Sequence, residues 1–330
     1  MSLKNKKIFM TGGAGFIGTA LINRLIEHNE IIVYDTLQRD ALKETNLLNH
    51  PNLTLIQGNV LDKEKLKEAI GGSNVVIHLA AIAGIDTVIK SPTMTMKVNM
   101  IGTYNVLEAA MTLDNIERFV NFSTSEVYGP YVYKANEESM TTQGQVGEAR
   151  WSYAVSKLAS EHLSFAYYSE FGLPVVSVRP FNIYGPGQVG ESAMHVFIDN
   201  AVKNKDLIIY GDGSVIRAWC YIDDFVDAIL LILNNNRSIG NVFNIGNPKG
   251  TITVNQLAEK IIRLSNSKSR ILYKERDYAD VELRVPSIKK AQELLGYEPK
   301  VGLDEGIKKT IEWCIKKYSG RRYAEYKHKK

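Results

Sequence analysis

Cysteine is nearly absent from the chain. Cys220 and Cys314 are the only two among 330 residues. Two thiols make neither a disulfide framework nor a metal cluster, and they suit a reducing compartment. Long hydrophobic runs are missing as well. The most apolar later stretch, Phe225 to Leu233, contains Asp227 and is too short to cross a bilayer. Met1 to Lys7 is basic, but the apolar run after it is short and Gly12-Gly13 breaks it, so no secretory segment of useful length follows. There are no internal repeats and no low-complexity linkers. A soluble, cytoplasmic protein with no membrane partner is expected.

A broad basic surface is also lacking. Lysine plus arginine number 40 against 36 acidic residues, a net of +4. Lys316 to Lys330 hold seven of those basic groups and one Glu, or +6, so residues 1–315 sum to 4 − 6 = −2. The body is therefore no nucleic-acid surface, and the tail reads as a solvated run of like charge. Hydrophobic residues at 45% and charged residues at 23% are ordinary for a globular chain and exclude extensive disorder.

What is present is alternation. Lys7 to Met10, Ile31 to Tyr34, Leu53 to Ile56, Val75 to Leu79, Phe119 to Phe122 and Val175 to Val178 read as strands. Between them, helical patterns cover Ala14 to His28, Lys63 to Ile70, Thr93 to Met111 and Tyr153 to Phe171. Apolar strands alternating with helices predict an α/β fold, a Rossmann-type doubly wound parallel sheet covered on both faces. After Arg179-Pro180 the elements shorten and glycine clusters punctuate them. This predicts a dinucleotide-binding domain over 1–180 and a smaller mixed α/β lobe over 181–330, with some strands returning to the first domain.

Thr11 to Gly18 follows a strand and opens a helix. Gly12, Gly15 and Gly18 allow the tight turn, the approach of a pyrophosphate and the close packing of helix on strand, with Phe16 and Ile17 inside the same run. Asp35 ends the next strand seventeen positions after Gly18. Its carboxylate would accept from the adenosine ribose hydroxyls and repel a 2′-phosphate, which favours NAD over NADP. Arg39 is close enough in sequence to oppose that preference, or is simply a surface arginine. Tyr153 and Lys157 lie one helical turn apart on one face. A phenol is a poor base at neutral pH, and a neighbouring ammonium makes it a better one. That pair can take a hydroxyl proton while hydride leaves the carbon.

With these marks stand His78-Leu79-Ala80-Ala81, Asn99, Ser123 to Gly129, Arg179 to Gln188, Gly211-Asp212-Gly213 with Arg217, Tyr221 to Asp224 and Leu295 to Pro299. Together they resemble the extended short-chain dehydrogenases/reductases of the nucleotide-sugar epimerase/dehydratase type, over about residues 6 to 315. The resemblance implies an NAD enzyme acting on a UDP-sugar. It places Leu79, Ala80, Ala81, Asn99 and Lys157 at the cofactor and Asn59-Val60 at the adenine edge, where many members have an acidic residue in place of Asn59. It places Thr124 beside Tyr153 at the sugar 4-hydroxyl, and Asn182, Arg217 and Arg284 at the diphosphate. It also implies a homodimer paired through the helices at Thr93–Met111 and Tyr153–Phe171. His78 reads as a packed residue, and no metal is implied.

Three reactions compete. Sugar 4,6-dehydratases commonly have an Asp-Glu pair after the threonine. Here Ser125-Glu126 stands there, so the acid that would protonate the departing 6-hydroxyl is replaced. Glu126 remains to take a C5 proton beside a C4 ketone, unless it is only a surface carboxylate. Segments around Trp151 to Leu163, Gly185 to Gly190 and Arg217 to Tyr221 are similar to UDP-N-acetylglucosamine dehydratases of the tunicamycin and pseudaminic acid pathways. That reading comes first, with Cys220 either assisting loss of the 6-hydroxyl or filling the core. A UDP-glucuronate decarboxylase, suggested by Thr124-Ser125-Glu126 and the segment around Arg284, and a UDP-sugar 4-epimerase are the alternatives. A non-catalytic dinucleotide binder is the remote one, because Tyr153 and Lys157 are both present.

Overall fold

A computed structural model describes residues 3–276, 278 and 280–327. Side chains from 320 onward and all of residues 328–330, and so most of the basic tail, lie outside the described residues. In chain order the strands are β1 (Lys7–Thr11), β2 (Glu30–Asp35), β3 (Leu53–Gln57), β4 (Val75–His78), β5 (Arg118–Phe122), β6 (Tyr131–Ala135), β7 (Val175–Pro180), β8 (Ile183–Tyr184), β9 (Leu207–Tyr210), β10 (Ile216–Ala218), β11 (Cys220–Tyr221), β12 (Asn241–Ile245), β13 (Thr251–Thr253), β14 (Ile271–Lys274) and β15 (Leu283–Pro286). The helices are α1 (Phe16–Leu25), α2 (Lys63–Ala69), α3 (Ile85–Lys90), α4 (Pro92–Met96), α5 (Gly102–Ala110), α6 (Ser152–Phe171), α7 (Ala193–Val202), α8 (Ile222–Leu233), α9 (Val254–Ser265), α10 (Lys289–Leu295) and α11 (Leu303–Lys327).

Seven strands form one parallel sheet in the order β12-β7-β5-β4-β1-β2-β3. Both faces of its central strands are buried, and neighbouring residues of one strand serve opposite cores. Ile8 and Met10 of β1 join Leu21, Ile22, Phe225 and Ile229 of α1 and α8. Phe9 between them joins Leu66, Val106 and Leu107 of α2 and α5. A strand covered on both sides favours apolar residues on both faces, which is why the centres of β1 (Ile8–Met10), β2 (Ile31–Tyr34) and β4 (Val75–Ile77) are unbroken hydrophobic runs. β12 comes from beyond residue 180 and pairs with β7, Phe243 opposite Val178. A second sheet, β13-β10-β15-β6, stands at the carboxyl side and takes β6 from the first half of the chain. The order reverses at β1, which lies between β2 and β4. Ligands of open α/β sheets bind in the crevice at such a reversal, beyond the carboxyl ends of the strands.

Two helices differ from expectation. The first begins at Phe16 and gives way after Leu25 to a 3₁₀ turn, because residues 12–15 are spent in the turn after β1. The long helix expected over Thr93–Met111 is α4 and α5 joined by a π turn at Lys97–Ile101. The widened turn presents Asn99, which is fully buried. Its Oδ1 accepts from Ile82 N (2.8 Å), its Nδ2 donates to Ser156 Oγ (3.0 Å), and its carbonyl accepts from Ser160 Oγ (2.7 Å). Asn99 thus pins the segment after β4 to α6, the helix that carries Tyr153 and Lys157.

Candidate active site

The turn between β1 and α1 shows why glycine is needed there. Gly12 has φ +70°, and a Cβ on it would stand 2.6 Å from Ala80 N. A Cβ on Gly18 would stand 2.4 Å from Gly13 O. Leu79 N donates to Thr11 O (2.9 Å) and Ala80 N to Thr11 Oγ1 (3.4 Å), so the end of β4 closes on this turn. Phe16 and Ile17 open α1 just beyond it. Asp35, at the end of β2, accepts from Ala14 N (3.0 Å) and Leu37 N (2.8 Å). Burial raises its pKa. Ala81 lies just past Ala80, half-buried. Asn59 spends its side chain on Leu61 N (3.0 Å), and Val60 packs beneath Gly102. Arg39 does not stand free at this site. Its Nη2 is 3.0 Å from Thr87 Oγ1 and 3.3 Å from Glu191 Oε1.

Lys157 is buried, and its Nζ has no hydrogen-bond partner among the described residues. Burial lowers its pKa to about 8 against the opposing carboxylate of Glu161. An orphaned buried ammonium is costly unless a ligand supplies acceptors. With the glycine cradle it fits the ribose hydroxyls of a dinucleotide. Tyr153 hydrogen-bonds Thr124, while burial and the Glu126 charge push its phenol up to about 12. His78 is fully buried between Thr11 Oγ1 (2.7 Å) and Thr103 Oγ1 (2.9 Å). Burial holds its pKa at about 3, so it is a neutral, packed residue.

Thr124 caps a 3₁₀ turn at Ser125–Tyr128, its Oγ1 accepting from Glu126 N (3.2 Å). Ser125 is buried at the start of that turn. Glu126 meets an arginine that sequence reading did not single out. Arg150 Nη1 donates to Glu126 Oε2 at 2.6 Å, and Arg150 Nη2 stands 3.4 Å from Asp280 Oδ1. Arg284 Nη2 lies 3.4 Å from Glu126 Oε1 and Arg217 Nη2 3.2 Å from Asp280 Oδ2. Burial raises the Glu126 pKa, but Arg284, Arg150 and Arg217 outweigh it and hold the carboxyl below its usual range. Among the described residues, three guanidinium groups thus face two carboxylates, a surplus of one positive charge. Arg276, 3.8 Å from Asp280, brings its own partner in Glu282 at 2.8 Å. The surplus is felt locally. Burial and then Arg284 lower the Arg217 pKa to about 10. Buried donors also remain. Among the described residues Arg150 Nε, Arg284 Nε and Arg284 Nη2 find no hydrogen-bond partner, the last being near Glu126 but misaligned.

Cys220 and Arg39 each carry two readings from the sequence. For Cys220 the core-filling one fits the fold. It is fully buried in the main core, its Sγ 3.6 Å from Tyr297 Oη, and burial raises its pKa to about 12. The pairing of β11 with β8 turns it inward. Arg39, read from the sequence as an opponent of the NAD preference or as a surface arginine, is engaged with Thr87 and Glu191. Asn182 adopts φ +42°, and its Nδ2 donates to Ala218 O (3.1 Å), tying β8 to the strand that carries Arg217. Arg150 and Asp280 had a legible signal only in part: Arg150 lies three residues before Tyr153, one turn back on the same surface.

The model of the NAD dependent epimerase/dehydratase family matches residues 8–246. The chain is 33% identical over 318 residues to UDP-N-acetyl-alpha-D-glucosaminuronate decarboxylase of Bacillus cytotoxicus, covering 93% of this chain and 97% of that one. It is 33% identical over 336 residues to dTDP-glucose 4,6-dehydratase of Haemophilus influenzae, covering 93% and 97%. The structure of UDP-glucuronic acid 4-epimerase from Bacillus cereus, in complex with UDP-glucuronic acid and NAD, superposes with a TM-score of 0.86 at 28% identity, covering 94% of this chain and 100% of that one.

Proposed function

Because the chain belongs to the NAD-dependent epimerase/dehydratase family, and so is an extended short-chain dehydrogenase/reductase with NAD as cofactor, we propose that it is a UDP-hexuronate decarboxylase. The observation that carries this is the surplus guanidinium at Glu126 among the described residues, with buried donors on Arg150 and Arg284 that lack acceptors there. One more carboxylate would satisfy both charge and hydrogen bonds, and the planar fork of arginine suits it. A C6 carboxylate on the sugar is that group.

Tyr153, oriented by Thr124, would take the proton of the sugar 4-hydroxyl, and Lys157 would favour its phenolate. NAD, when bound, supplies a reversible acceptor for the C4 hydride. A ketone at C4 makes the sugar a β-keto acid. The C5–C6 bond then breaks, carbon dioxide leaves, and the electron pair passes from C5 onto the C4 oxygen. Arg150 and Arg284 would hold the carboxylate until it leaves. Glu126 is already engaged by arginine, which makes it a weak base and a good spacer between the two guanidinium groups. Gly12, Gly15, Gly18, Asp35, Leu79, Ala80 and Lys157 would hold the cofactor. Arg217 and Asn182 would face the diphosphate.

A dehydratase acting on UDP-N-acetylglucosamine is the second reading. It is favoured by a carboxylate, Glu126, two residues from Thr124 and in the electrostatic field of Tyr153. There Glu126 would take the C5 proton and the arginines would all serve the diphosphate. The test is to incubate the protein separately with UDP-glucuronate, UDP-N-acetylglucosaminuronate, UDP-N-acetylglucosamine and UDP-galactose and read product masses. Loss of carbon dioxide from a uronate supports the proposal. Loss of water from UDP-N-acetylglucosamine, or an epimer of unchanged mass, replaces it.

The protein is further proposed to be a homodimer. Adjacent helices leave Met94, Ile101, Tyr104, Met111, Tyr168 and Phe171 exposed, a face that a second copy would cover. Light scattering at micromolar concentration checks this, and a monomer there would refute it.

A further inference from the structure

Cofactor choice in this chain involves a residue far from the dinucleotide motif in sequence. An NADP enzyme needs a cation near the ribose 2′ position, and an NAD enzyme a carboxylate. This chain has both within five residues, Asp35 and Arg39. Arg39 is paired with Glu191, in the segment between β8 and α7.

Glu191 gathers three segments at once. Its Oε1 stands 3.3 Å from Arg39 Nη2, after β2, and accepts from Thr87 Oγ1 at 2.5 Å. Its Oε2 accepts from Asp86 N (3.0 Å) and Thr87 N (3.4 Å), after β4. Thr87 Oγ1 accepts in turn from Arg39 Nη2 at 3.0 Å. Two glycines with positive φ give this junction its room. A Cβ on Gly84 would lie 2.6 Å from Glu191 Oε2, and one on Gly190 would lie 3.0 Å from Arg39 Nη1. The guanidinium is thus engaged by Thr87 and Glu191, while Asp35 is held by Ala14 N and Leu37 N.

We propose that Glu191 is a specificity-determining residue for the dinucleotide: it holds Arg39 against Thr87 and so leaves Asp35 as the unopposed reader of the ribose 2′ position. Cofactor selection then depends on a segment from beyond residue 180 being docked. The inference rests on the dinucleotide site alone and holds for any of the sugar reactions.

The test measures binding of NADH and NADPH to cofactor-free protein by nucleotide fluorescence, with no sugar present. Glu191→Gln keeps an acceptor for the backbone N–H groups but removes the charge that holds Arg39. Glu191→Ala is the stronger variant, used if it melts cooperatively as the parent does. The expected result is a gain for NADPH over NADH of about tenfold, the scale of one hydrogen bond to a charged group. NADH still binds, because Asp35 is untouched. Adding Arg39→Ala to either variant should return the ratio to that of the parent. An unchanged ratio in both folded variants would overturn the proposal. So would a gain that survives loss of Arg39, or an equal loss of both nucleotides, which would make Glu191 only a strap. A parent protein that binds neither nucleotide would instead refute the dinucleotide site itself.

Discussion

Arg284 separates the two readings of the arginine cluster. Its side chain is 8% exposed, its Nη2 lies 3.4 Å from Glu126, and its Nε is buried without an acceptor among the described residues. Arg284→Met keeps the length and removes the charge. Glu126 retains Arg150 at 2.6 Å, so the turn at Ser125–Tyr128 keeps its anchor. If Arg284 holds the sugar carboxylate, the variant loses one charge-assisted hydrogen bond, about 1.5–3 kcal/mol, or roughly tenfold to 150-fold in affinity. The assay is calorimetric titration in a Tyr153→Phe background, where turnover is blocked. UDP-glucuronate is compared with UDP-glucose, which shares the diphosphate and lacks the carboxylate. Affinity for UDP-glucuronate should fall by the stated factor while that for UDP-glucose hardly changes. An equal fall for both ligands would place Arg284 at the diphosphate and remove the observation on which decarboxylation rests. No fall for either would remove Arg284 from the site.

Lys157 is charged below its pKa of about 8, so NAD affinity should hold at neutral pH and fall as pH rises through that value. Fluorescence titration across the alkaline range checks this, and Lys157→Met should bind weakly with no such pH dependence. Arg179 and Glu161 form a buried bidentate pair, at 2.5 and 3.1 Å, one turn past Lys157. Arg179→Met leaves Glu161 buried and unpaired and should cost about 3–5 kcal/mol by urea denaturation, much of it recovered when Glu161→Leu is added. Failure of the double variant to recover would mean that the pair is not what matters there. Cys220→Ala should keep turnover close to that of the parent and lower stability by about 1 kcal/mol. A large loss of rate in a folded Cys220→Ala protein would return the thiol to the chemistry.

The alternation of apolar strands with amphipathic helices was readable because a strand buried on both faces is mostly apolar at its centre. Ile8, Phe9 and Met10 serve two different cores and are all hydrophobic. The dinucleotide turn was readable for the same kind of reason: Gly12 touches Ala80 so closely that no other residue fits, and a local constraint leaves a local mark. Tyr153 and Lys157 share a helix, so their spacing alone puts them on one face. The π turn at Asn99 left no such mark, because it answers to partners at Ile82, Ser156 and Ser160 that only the fold brings near.

The arginine cluster is the clearest case of what tertiary structure alone decides. Glu126, Arg150, Arg217, Asp280 and Arg284 come from four separated stretches of chain, and each read singly is an ordinary charged residue. Their net charge and their unsatisfied donors exist only once β10, β15 and the turn before β6 are packed together. Cys220 and Arg39 show the converse. Position near a motif suggested chemistry for both, but strand pairing turned the thiol into the core, and a carboxylate from 152 residues away engaged the guanidinium. Sequence determines the interactions whose partners lie within a turn or a strand of each other. The direction of a long side chain, and so the charge balance of the site, is decided by contacts between segments far apart in the chain.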